Sequence, residues 1–159
     1  MVIPLGGDTF RAAVAKTGQT TCYSTAGAIV SCTNVAVQGV DGDIQSGVAW
    51  PSPRFNDLGD GTVKDRLTGL IWLKNANCSG GFPASTGKMN FASALGFVST
   101  FNNNQLLTNC GDVSTHDDWR LPNRFELESL LDLSQGQYGV PEDSPALPVG
   151  HPFINVETN

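Results

Sequence analysis

A chain of 159 residues with a formal net charge of -6 is long enough to build one self-supporting core. It is too acidic for a nucleic-acid partner, which asks for basic patches, and no apolar run in it approaches the length of a membrane span. The acid is uneven: from Gly111 onward nine Asp and Glu face two Arg, whereas residues 1–110 hold six acids and seven bases. The later half therefore repels phosphates, sulfates and anionic membranes.

In chain order, Met1-Val2-Ile3-Pro4-Leu5-Gly6-Gly7 has neither the basic region nor the apolar core of a signal peptide. Residues 1–20 carry no clear signal. Cys22 and Cys32 then lie symmetrically about Gly27, the pattern of a hairpin bridged across its two strands. Val35 to Ala49 is rich in Gly and Asp, with Asp41-Gly42-Asp43 marking a turn. Trp50-Pro51-Ser52-Pro53 reads as a rigid extended connector. It divides the chain into a β-rich N-terminal appendage (1–50) and a main domain (51–159).

The main domain opens with two turns. Asp60-Gly61 is a hairpin signal, Leu67-Thr68-Gly69 a second turn, and Leu70-Ile71-Trp72-Leu73 a buried strand. Asp57, Asp60 and Asp65 cluster around these turns and invite calcium, because that ion takes hard oxygen ligands. Their spacing is not that of an EF-hand, and Asp is also a turn former in its own right. Ser79 to Lys88 is a Gly, Ser and Pro loop. Asn90 caps a helix whose Phe91, Ala94, Leu95, Val98 and Phe101 share one face, and Asn102-Asn103-Asn104-Gln105 ends it.

Four cysteines allow three connectivities. The favoured one pairs Cys22 with Cys32 across the hairpin and leaves Cys78 with Cys110, which flank a helical segment; neither pair has the CxxC spacing of a zinc site. Two disulfides imply an oxidising compartment, so the expectation is a secreted or surface protein whose leader has been removed. His116-Asp117-Asp118 makes a poor metal motif, because His151 is the one other histidine.

Asp118 to Leu131 is the most organised stretch. Trp119 to Leu121 reads as a short strand stopped by Pro122. Asn123 is an N-cap, with Glu126 at the capping-box position and negative charge at the positive helix end. Leu127, Leu130 and Leu131 form an apolar stripe. This corner is expected to build core, with Trp72, Trp119, Leu121 and Leu127 packed together with Leu95, Val98 and Leu130. Gly136 to Asn159, with its prolines, reads as loop with at most short strands. The chain has no GxSxG elbow, P-loop, dinucleotide fingerprint or HExxH, and no catalytic residue is assigned.

The ordered combination of Gly59-Asp60-Gly61-Thr62-Val63, Asp65, Thr68-Gly69-Leu70-Ile71-Trp72, Asp118-Trp119-Arg120-Leu121-Pro122-Asn123, Glu126-Leu127, Pro145-Ala146-Leu147-Pro148 and His151-Pro152-Phe153 resembles the DUF1566 family. That family is related to the C-terminal domain of the Legionella collagen-like adhesin, and the Arg-Leu-Pro corner is similar to one in formylglycine-generating enzymes. The resemblance covers about residues 54–156 and implies an α+β, C-type-lectin-like fold: two helices on a small twisted antiparallel sheet, here with an N-terminal β-hairpin appendage. It implies an exported or surface-borne bacterial or phage protein serving as a non-catalytic binding or adhesion module, with a carbohydrate or protein ligand. The chain ends before the closing strands usual in the family, so Leu70–Leu73 is expected to stand at an open edge and to need a strand-complementing partner or a second copy. A structural subunit of a surface filament, or an enzyme related to the formylglycine-generating group, are the alternative readings.

Overall fold

The computed structural model describes residues 2–3, 14–78, 89–103, 110–135 and 147–156, for residues 2–3 the backbone alone. The fold is α+β, and among the described residues strand pairing is antiparallel throughout two small sheets. The larger sheet has four strands, ordered β1 (Val2–Ile3), β6 (Ile71–Leu73), β5 (Thr62–Asp65) and β4 (Phe55–Asp57). The smaller is the hairpin of β2 (Cys22–Tyr23) and β3 (Ile29–Val30), closed by the expected Cys22–Cys32 disulfide. Between the sheets the turn expected at Asp41-Gly42-Asp43 is a single helical turn, α1 (Asp41–Ile44), preceded by a 3-10 turn at Val35–Val37. Further on come α2 (Phe91–Asn102) and α3 (Arg124–Glu128). The loop read at Ser79 to Lys88, the Asn104-Gln105 end of the helix stop and Pro145-Ala146 lie outside the described residues. So does most of the loop read after Gly136.

Register decides which side chains meet. Val63 pairs with Trp72 and Phe55 with Asp65, so these four point to one sheet face, while Ile71 and Leu73 point to the other. On the Ile71 face they pack with Phe97, Phe101, Cys110 and Trp119 to form the core. The second disulfide, Cys78–Cys110, ties the segment that follows β6 to that core. Gly61 (φ 89°) sits where the β4–β5 turn meets the chain after Cys110. A Cβ there would lie 1.9 Å from the Gly111 carbonyl oxygen, so only glycine lets the two backbones touch.

The expected open edge at Leu70–Leu73 does not exist. β6 is an interior strand, paired with β5 on one side and β1 on the other. Among the described residues the sheet's edges are β1 and the three-residue β4, whose exposed Asn56 and Asp57 discourage strand addition. The N-terminal fifty residues are also tied to the rest beyond the expected boundary at Trp50. The Leu133 N–H donates to Thr17 O (3.0 Å), and β1 lies in the main sheet.

Several core assignments need correcting. Trp72 and Trp119 are buried, but Leu121 and Leu130 are only half-buried and Leu127 is 50% exposed. α3 ends at Glu128, with Ser129 as its C-cap, so the stripe of leucines leaves the helix after its first member. On α2 the buried residues are Phe97 and Phe101, whereas Phe91 and Leu95 face out. Trp119 to Leu121 is reduced to a single β-bridge residue at Arg120, and the Trp119 N–H and C=O are both spent on the Asn102 side chain, at 2.9 and 2.8 Å. These placements predict that Trp119→Ala costs about 3–5 kcal/mol in denaturant unfolding and Leu127→Ala under about 1 kcal/mol. Equal losses would show that the two share one core after all.

Candidate functional site

A groove of about 510 Å³ lies at the end of β6. Its floor is Trp72 and Leu73, followed by Asn75 and Ala76 where the chain leaves the sheet. Met89, Ala94 and Phe97 wall it on the α2 side, and Leu127, Leu130 and Leu131 on the α3 side. Leu121 and Pro122 of the corner join the two walls, and Phe153 closes from the far segment. That segment is held by a parallel bridge of Asn75 with Ile154 and by the Phe153 ring, edge-on to Phe55 at 5.1 Å. Concave, mostly apolar sites of this size are the usual form of a ligand pocket.

The corner that positions the α3 wall is rigid for local reasons. The Asn123 side chain accepts from Glu126 N (3.0 Å) and Glu126 Oε2 accepts from Asn123 N (2.7 Å), a complete capping box. Arg120 adds a fork that sequence reasoning missed: Nη1 donates to Glu126 Oε2 at 2.9 Å and Nη2 to Oε1 at 2.5 Å. Nη1 also reaches Leu121 O (3.1 Å), so one guanidinium holds the strand-side backbone and the helix cap together. The spacing of Arg120 and Glu126 across a Pro was the available signal. These bonds from Arg120, joined by the Asn123 N–H, hold the Glu126 carboxyl below the usual carboxylate range against partial burial.

The three aspartates proposed for calcium do not converge. Asp65 is fully buried and paired with Arg54 (3.1 Å), Asp57 pairs with Lys74 (2.6 Å) and caps Gly59 N, and Asp60 caps Thr62 N (3.0 Å). The Lys74 hydrogen bond, then the Gly59 N–H, lower the Asp57 pKa. Among the described residues no three His, Cys, Asp or Glu side chains come together as a metal site. His116 stands edge-on to Trp119 (5.8 Å), and His151 lies tilted beside Phe153 (5.8 Å) with a buried Nδ1 that makes no hydrogen bond among the described residues. Neither imidazole is hydrogen-bonded to a hydroxyl or carboxylate among the described residues, so no nucleophile and base are aligned there.

Comparison with protein families matches residues 61–158 to the Lcl C-terminal domain. That span contains every residue that lines the groove. Searches of curated proteins and of solved structures found no match.

Two outcomes check this geometry. A glutamate whose folded pKa is depressed contributes stability above its unfolded pKa, and that contribution disappears as pH falls through the folded value. The stability gap between the wild type and Glu126→Gln should be widest near neutrality and close below about pH 4; a pH-independent gap would mean that the ion pair is not its source. Melting curves in millimolar calcium and in chelator should coincide, since these carboxylates already have cationic or N–H partners; a calcium-dependent rise would reinstate the ion.

Proposed function

This chain belongs to the Lcl C-terminal domain family, and from that premise we propose that it is a non-catalytic binding module working in adhesion at the surface of a bacterium or on a phage. The carrying observation is that the family-matched span builds a preformed apolar groove, with rigid walls on both sides of a sheet end. The ligand is a carbohydrate or a protein of the surface that is engaged. Helices set against a small antiparallel sheet fit the DUF1566 and lectin-like relationship of the sequence motifs. The two disulfides favour an exported protein, because such bridges persist in oxidising compartments. They also weigh against chemistry of the formylglycine-generating kind, which needs a thiol, since all four cysteines are bonded in pairs.

The test is adhesion by the purified chain. Beads coated with it should bind target cells, and soluble chain should compete. Leu127→Lys, at the half-exposed groove rim, should lose most of that binding while melting as the wild type does. Binding no greater than that of albumin-coated beads would overturn the adhesion reading. Full binding by the folded variant would move the contact surface away from the groove.

A further inference from the structure

A second, smaller cavity of about 170 Å³ lies between Lys16–Thr20 and the Gln45–Trp50 stretch, wholly outside the family-matched residues. At roughly 30 Å³ per water it holds five or six waters, the room that one six-membered ring needs. We propose that this pocket binds a single neutral pyranose ring against the Trp50 indole.

The indole is held in place before any ligand arrives. Its Nε1 donates to Lys16 O at 2.7 Å, which satisfies its polar group and fixes the ring direction. The Arg54 guanidinium lies over the ring, 4.6 Å from its centroid, and is itself anchored by Asp65. Gly18 (φ 86°) completes the wall, since a Cβ there would stand 3.0 Å from the Trp50 Cη2 edge and 2.2 Å from Asp132 Oδ1.

The polar groups around the ring suit hydroxyls. Gln19 and Gln45 each donate an amide N–H to a backbone carbonyl, of Thr21 (2.7 Å) and Gly42 (3.4 Å) respectively. Each side-chain carbonyl oxygen is left to accept. The Thr20 hydroxyl and the Lys16 ammonium make no hydrogen bond or ion pair among the described residues, and both remain to donate. Charge selects further. Arg54 over the ring and Lys16 at the mouth disfavour an organic cation. Asp41, bonded to the Thr17 hydroxyl, and Asp132 behind Gly18 disfavour an anion. A neutral ring with an apolar face for the indole and O–H groups for the two amides is the chemistry that remains.

Trp72 and Trp119 are buried, so Trp50 is the half-buried indole among three. The whole chain is titrated with methyl glucoside, galactoside and mannoside and with N-acetylglucosamine, following the assigned Trp50 Nε1–H resonance. Glucuronate and choline serve as charged probes. The resonance should move saturably with at least one neutral sugar, and Gln45→Ala should weaken that binding about tenfold while melting as the wild type does. Gln19→Ala serves as the second variant should Gln45→Ala melt early. No saturable shift with any neutral sugar, equal response to a charged probe, or unchanged binding by a folded glutamine variant would overturn the proposal. The pocket shares no lining residue with the groove, so each of these results leaves the adhesion reading standing.

Discussion

The Arg54–Asp65 ion pair is the constraint on which the rest of the structure leans. Both side chains are buried, and in such a place a charge persists only if it is paired and hydrogen-bonded. Asp65 spends its oxygens on Arg54 Nε and Nη2, on the Leu67 N–H (2.9 Å) and on the Thr68 hydroxyl (2.9 Å). The carboxylate thus closes the β5–β6 turn while it holds Arg54, the residue just before β4. Arg54 in turn donates to the Ser129 carbonyl at the end of α3 and stacks between Trp50 and Phe55. Removing either partner strands the other charge in the interior, at a cost of about 3–5 kcal/mol. A hydrophobic pair could fill the volume but could not tie a turn, a helix end and an indole to one point.

The groove exists because its two walls are anchored separately. Asn102 grips the backbone of Trp119 from α2, and Trp119 packs edge-on to Phe101 at 5.9 Å. The corner is then carried outward by Leu121 and Pro122, and the Arg120 fork sets the direction in which α3 departs. Because α3 is only five residues long and buries none of them, its position comes from these anchors rather than from packing of its own face. Short, capped and tethered, it stands off the sheet end and leaves space between.

Features decided by local chemistry were legible in the sequence: the hairpin about Gly27, the turns at Asp60-Gly61 and Leu67-Thr68-Gly69, the Asn90 and Asn123 caps, and the buried strand with Trp72. What escaped was set by distant partners. α2 carries apolar residues on two sides, so periodicity fits a face that runs from Phe91 and Leu95 to Phe101 as well as the true one with Phe97 and Phe101. The choice was made by Asn102 meeting Trp119, seventeen residues on. Likewise β1 has only two residues, too few to show alternation, and becomes a strand because β6 offers a free side. The aspartates looked like a cation site because their partners, Arg54 and Lys74, are remote in sequence, and the groove itself comes from segments between 72 and 156 that no single window contains.

The same arginine stands between the two cavities. On one side its guanidinium covers Trp50, a wall of the small pocket; on the other it holds Ser129, next to the groove-lining Leu130. Neither wall is rigid by virtue of its own segment, since Trp50 sits in an irregular connector and Leu130 just past a helix end. Beside the Arg120 and Asn123 anchors on the groove side, both are tied to a group whose own position is fixed by a buried carboxylate. Preorganisation lowers the ordering cost that a ligand otherwise meets, and here a single ion pair contributes to it at both cavities. That explains why a charge is kept inside so small a core: the pair contributes less by its attraction than by the number of loosely held segments that it fixes at once.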